Sequence, residues 1–109
     1  MVKKIIPIKL KKQIKSYVDI LRKDELPISK VILYGSYATG TSHQWSDIDL
    51  CIISPRFKDA FDATQYLWSK RVIKDIKYAI EPVGFSVKDF KQGSILINEI
   101  KRTGVEMVV

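Results

Sequence analysis

Two aspartates one residue apart open an otherwise wholly apolar run, Asp47-Ile48-Asp49-Leu50-Cys51-Ile52-Ile53. No other stretch constrains the fold of this chain as strongly. Its length and composition predict a strand, and apolar positions on both faces predict a buried one. Alternation places Asp47, Asp49 and Cys51 on one face, with Ile48 and Leu50 on the other. Aspartate is depleted in strands, and a buried carboxylate is costly unless paired or bound to metal. Two on one face repel unless a cation lies between them, and hard oxygen donors favour magnesium or manganese over zinc. Alone, the pair has a plain alternative: a solvated strand start that only aids solubility.

A second motif precedes it. Val31-Ile32-Leu33-Tyr34 is a β-rich apolar run that stops at Gly35-Ser36, and ten residues (37 to 46) separate this turn from Asp47. Glycine tolerates strained dihedrals and lets another group approach the backbone. A short helix from about Tyr37 to Thr41 would aim free N–H groups at an anion above the turn, with the Ser36 hydroxyl as a further donor. Gly35-Ser36-x10-Asp47-x-Asp49 as a unit therefore reads as a site for a nucleoside triphosphate and its metal ions.

These residues resemble the signature of the DNA polymerase β-like nucleotidyltransferase superfamily, and most of all its minimal nucleotidyltransferases. Leu33-Tyr34-Gly35-Ser36-Tyr37-Ala38-Thr39-Gly40 and Ser46-Asp47-Ile48-Asp49-Leu50 carry the likeness, which extends over residues 28 to 109. The resemblance implies an α/β (α+β) fold: a polymerase-β-like palm, with a small mixed sheet packed with helices. It also implies a third carboxylate on a later strand. Glu81 is the sole internal charge of Tyr78-Ala79-Ile80-Glu81-Pro82-Val83-Gly84-Phe85-Ser86 and is the candidate, glutamate standing where the family often has aspartate. The other reading is a surface glutamate on an edge strand, which Pro82 supports. In the family's chemistry, Asp47, Asp49 and Glu81 would hold two Mg2+ ions while Gly35 and Ser36 hold the phosphates of ATP.

Composition agrees with one small domain over residues 1–109, with an N-terminal amphipathic helix region (1–27) ahead of the palm (28–109). Hydrophobic content is 46% over 109 residues, and no apolar run reaches membrane-spanning length. Ile5-Ile6-Pro7-Ile8 is too short and Pro-broken for a signal peptide. Cys51 is the lone cysteine, so no internal disulfide is possible, and a reducing cytoplasm is the expected setting. Residues 1–30 hold nine Lys/Arg against three Asp/Glu, a net +6, whereas the remainder carries +1. Ile8, Leu10, Ile14, Tyr17, Val18 and Leu21 follow helical spacing from about Pro7 to Asp24, with lysines around them. The bland reading is a packed helix with a solvated basic face; the sharper one is a docking surface for nucleic acid or an acidic protein.

Downstream, Phe57 to about Lys74 is predicted helical, with Phe57, Ala60, Phe61, Thr64, Leu67, Trp68 and Val72 as its buried stripe. Ser86-x-x-Asp89 predicts a cap opening a short helix. Ser94 to Thr103 predicts a final helix stopped by Gly104, and Val105 to Val109 an edge strand. His43 reads as a loop residue with no partner ligand for zinc, and Trp45 as a loop anchor or a base-stacking ring. A palm with one extra helix implies that the acceptor surface comes from a partner. Minimal nucleotidyltransferases pair with HEPN-domain toxins, so the resemblance implies an antitoxin that transfers AMP from ATP to a tyrosine of a HEPN ribonuclease. The alternatives are an antitoxin acting by occlusion without catalysis, and nucleotide transfer to RNA or a small molecule.

Overall fold

The computed structural model describes residues 6–41, 47–71 and 79–109. Along the chain these form α1 (Ile8–Lys23), β1 (Lys30–Tyr34), α2 (Ser36–Thr39), β2 (Ile48–Ile53), α3 (Ala60–Ser69), β3 (Ile80–Phe85), α4 (Val87–Gln92), α5 (Ile95–Thr103) and β4 (Val105–Glu106). The strands make one mixed sheet in the order β3-β2-β1-β4. β1 is antiparallel to β2 and β4, while β3 runs parallel to β2. The small mixed sheet packed with helices is thus the observed architecture.

The apolar run of β2 occupies an interior position because helices cover both faces. Ile48, Leu50, Cys51 and Ile52 are wholly inaccessible. On one face, Leu10, Ile14, Tyr17, Val18 and Leu21 of α1 join Leu33, Leu50 and Leu67 in a single cluster. Tyr17 donates its phenol proton to the Leu67 carbonyl at 2.6 Å, so a buried hydroxyl is satisfied between α1 and α3. On the other face, Ile32, Cys51, Ile53 and Phe85 pack with Phe90 of α4 and with Ile97 and Ile100 of α5. Each such aliphatic side chain contributes roughly 1.5–3 kcal/mol by burial.

Local chemistry sets the helix ends. The Asp59 carboxylate accepts from the N–H groups of Phe61 (2.7 Å) and Asp62, which starts α3 at Ala60 rather than at Phe57. Phe57 is still buried, but in the turn ahead of the helix. Ser86 caps α4 through the Asp89 N–H at 3.0 Å, as its spacing predicts, and Ser94 caps α5.

The buried stripe of α3 differs from the sequence reading. Ala63 and Leu67 are buried, whereas Phe61 is 68% and Trp68 43% exposed. The reason lies in β3, which is an edge strand. Trp68 Nε1 donates to the Pro82 carbonyl at 2.9 Å, and the Gly84 N–H donates to Thr64 Oγ1 at 3.1 Å. Pro82 has no N–H to offer there. Side chains of α3 thus close the outer edge of the sheet, as exposed edges require, and Trp68 serves that edge rather than the core. Gly104 ends α5 as its position predicts; its φ is −75°, and a Cβ there would meet the Ile100 carbonyl oxygen and Ile32 Cγ2. β4 covers only Val105–Glu106. α3 also ends at Ser69, with Lys70 as its cap, ahead of the predicted end near Lys74; Val72 and Lys74 lie outside the described residues. Among the described residues no helix is long and apolar enough to cross a membrane.

At Gly84 the backbone of β3 lies close against α3. A Cβ there would stand 2.9 Å from Ala63 Cβ, Leu67 Cδ1 and Phe57 Cε2. Gly84→Ala should therefore destabilise the protein by about 1–3 kcal/mol through overpacking, seen in urea unfolding as a lower midpoint with an unchanged slope.

Candidate active site

Strand register assembles the site. Tyr34 is the partner of Asp49 across the β1–β2 pair, and Asp49 is the partner of Glu81 across the β2–β3 pair. Cross-strand partners share a face, so Tyr34, Asp49 and Glu81 form one row across three strands. All three are half-buried. On the same face, Cys51, Ile53 and Phe85 continue into the cluster packed with α4 and α5, so the row lies at the border of that core. Asp47 stands just ahead of β2 and is exposed. Tyr34 counts in the sequence as the last apolar residue of its strand; the same alternation that paired the aspartates would have placed it in this row had the register been known.

The turn and the acids are in direct contact. Gly35 has φ 75° and ψ −151°, a conformation open essentially to glycine alone. A Cβ built there would run into Oδ2 of Asp49. The carboxylate therefore lies against the backbone of the turn, and glycine is required twice, for its dihedrals and for the space. Ser36 begins α2, whose N–H groups at Ala38 and Thr39 both donate to the Gly35 carbonyl at 3.1 Å. This short helix starts one residue earlier than its sequence reading.

Burial first, and like charge after it, set the electrostatics. Partial burial raises the Asp49 pKa above the usual carboxylate range, and the nearby carboxylates of Glu81 and Asp47 raise it further. The Tyr34 phenol is also pushed up, first by burial and then by Asp49, Cys51 and Glu81. Burial alone lifts the Cys51 thiol to about 12. Cys51 is thus a protonated core residue below the row, on the face its spacing assigns. A donor set made wholly of carboxylate oxygens suits a hard divalent cation. Among the described residues no three His, Cys, Asp or Glu side chains are grouped into a ready-made cage, so a cation would have to draw the three acids together. His43 and Trp45 lie outside the described residues.

A cavity of about 330 Å³ opens at the other end of β2, lined by residues including Asp24, Arg56, Phe57, Asp59 and Tyr66. It shares no residue with the acid row. Its Asp24 carboxylate is already engaged: Tyr66 donates to it and Lys70 pairs with it, and together they hold Asp24 below its ordinary pKa. The row beside Gly35 is the better candidate, because there the charges oppose one another.

Comparison with known proteins identifies the family and the fold. The family model of the nucleotidyltransferase domain matches residues 12–103. A Sulfolobus solfataricus protein assigned as a nucleotidyltransferase shares the fold, with a TM-score of 0.65 at 16% identity over 91% of this chain and 79% of that one. A toxin–antitoxin structure with AMP-PNP superposes with a TM-score of 0.56 at 22% identity, covering 88% of this chain and 70% of that one. A mutant of the toxin–antitoxin MntA–HpeT gives 0.55 at 21% identity, covering 86% and 70%. No curated protein matches in sequence.

Two outcomes are expected from the packing and charge of the row. Gly35→Ala should cost about 1–3 kcal/mol in strain and shift the Asp49 carboxylate. Asp49→Asn should raise the thermal midpoint at neutral pH when divalent ions are chelated. Because Asp49 has a raised folded-state pKa, its ionised form weakens the fold; that penalty grows as pH rises from the unfolded aspartate pKa through the folded one, and is complete above both. The gain from Asn should therefore fade as pH is lowered, and thermal melts of both proteins across acidic and neutral pH check it.

Proposed function

The chain belongs to the nucleotidyltransferase domain family, and on that premise we propose that it is a magnesium-dependent enzyme that transfers AMP from ATP to a partner protein. The observation that carries the reading is the Asp49 carboxylate, held against Gly35 on one side and in register with Glu81 on the other. A phosphate-holding turn and metal-binding acids must be adjacent for a triphosphate to touch both.

Asp47, Asp49 and Glu81 would hold the divalent ions, which, when bound, neutralise charge on the triphosphate and acidify the acceptor hydroxyl. Gly35 and Ser36 hold the β- and γ-phosphates, Ser36 through its hydroxyl. The acceptor oxygen attacks the α-phosphorus, and the bond to the bridging oxygen of the β-phosphate breaks. Pyrophosphate leaves with that electron pair, and the hydroxyl proton passes to a carboxylate oxygen of Glu81. The chain's contribution is positioning and electrostatics, with no covalent intermediate.

Likeness to two toxin–antitoxin structures, one of them with AMP-PNP, supports an antitoxin role. In this reading the partner is a HEPN-domain ribonuclease toxin and the acceptor is one of its tyrosines.

The test is incubation of the chain and its toxin with labelled ATP and magnesium. Wild type should label the toxin on tyrosine and silence it, and EDTA should abolish the transfer. Asp47→Asn with Asp49→Asn, or Glu81→Gln alone, should lower the rate at least about 100-fold, the scale lost when a dominant electrostatic group is removed. Full labelling by the double Asn variant would sink the assignment. Toxin silencing that survives that variant without ATP would instead establish inhibition by occlusion, and labelled RNA or metabolite in place of toxin would move the acceptor.

A further inference from the structure

The exposed face of α1 is almost uniformly cationic. At about 100° per residue, Ile8, Lys12, Lys15, Ser16, Asp19 and Lys23 fall on the side opposite the buried Leu10, Ile14, Tyr17, Val18 and Leu21, with Lys9 on one flank and Lys11 and Arg22 on the other. Lys9, Lys11, Lys12, Lys15 and Lys23 are all exposed. Lys15 pairs with Asp19 at 3.1 Å, and Arg22 donates to the Val109 carbonyl. Lys9, Lys11, Lys12 and Lys23 make no ion pair with any described residue.

The placement works against the helix. Lys9, Lys11 and Lys12 sit in the first turns of α1, the positive end of its dipole, and no acidic residue stands in the first turn to offset them. No contact among the described residues offsets that electrostatic cost. The chemistry of these lysines also discriminates between partners. Protein interfaces are anchored by aromatic residues and arginine and are depleted in lysine, and this face has one apolar residue, Ile8, no aromatic, and one arginine, Arg22, which already donates to the Val109 carbonyl. A row of flexible point charges without anchors matches a phosphate backbone, which asks for charge and not for shape.

We propose that the lysine face of α1 is a docking surface for the phosphate backbone of a nucleic-acid strand. It binds without base readout and strongly dependent on salt. This does not rest on the nucleotidyl-transfer reading, because no residue of the acid row takes part.

Fluorescence polarisation with a labelled mixed-sequence single-stranded RNA of about a dozen nucleotides, and its DNA counterpart, tests it. Affinity should fall linearly with salt on logarithmic axes, with a slope of about −0.7 per phosphate contacted. Lys9→Gln, Lys11→Gln and Lys12→Gln together should weaken binding about 10-fold or more at low salt and reduce the slope by about 2. The same variant should melt at the wild-type temperature or above, since charge opposing the dipole is removed, and the matching Lys→Arg variant should keep its binding. No binding by wild type at low salt would overturn the proposal, as would unchanged binding by the Gln variant or a lowered melting temperature. Equal loss from Lys88→Gln with Lys91→Gln, on α4, would reduce the effect to net charge. Displacement of the RNA by polyglutamate at matched charge would point to an acidic protein and overturn it too.

Discussion

The Asp49 carboxylate resting against the backbone of Gly35 is the contact on which this architecture turns. It exists only because β1 and β2 pair antiparallel in the register that opposes Tyr34 to Asp49. Glycine is then required at the next position, where a positive φ and the missing Cβ leave the acid its space. The parallel addition of β3 brings Glu81 alongside and turns a single awkward carboxylate into a charged row. A row of like charge is tolerable because the strands beneath it are locked by apolar burial on both faces: β2 has no accessible side chain from Leu50 to Ile52. Stability is held in the core, and its deficit is concentrated at the site, as in other proteins that keep strained or repulsive groups where chemistry occurs.

The two faces of the sheet divide the remaining tasks. One is closed by α1 and α3. The other is covered by α4 and α5 only as far as the acid row. The outer edge of β3 is closed at Pro82 and Gly84 by Trp68 and Thr64, so strand addition at those positions is blocked. The basic face of α1 is opposite in charge to the acid row and shares no residue with it.

Much of this was legible from residues. The apolar period of α1, the strand ends at Tyr34 and Ile53, the capping role of Ser86 and the shared face of Asp49 and Cys51 all follow from spacing and side-chain chemistry. The misreadings have a common cause. Phe61 and Trp68 fall on a plausible helical stripe, but whether an apolar residue faces the core depends on where the neighbouring strand ends, and here Trp68 meets a strand edge. Gly104 stops α5 as read, but the close approach of Ile32 and of the Ile100 carbonyl to it depends on packing. Phe57 is buried without being helical, because Asp59 two residues later captures the free N–H groups that begin α3.

What the sequence determined by itself is everything governed by distance along the chain: which segments are strands and helices, that two acids share a face, and that a glycine turn precedes them by ten residues. Periodicity is a local property, and 3.6- and 2-residue repeats need no tertiary information to be read. What only the tertiary structure decided is which strand lies beside which, and in what register. A shift of a single residue in the β2–β3 pairing would turn Glu81 to the opposite face from Asp49. That pairing places Glu81 in the acid row, puts Tyr34 beside Asp49, and converts a motif of turn and carboxylates into a site with a defined geometry.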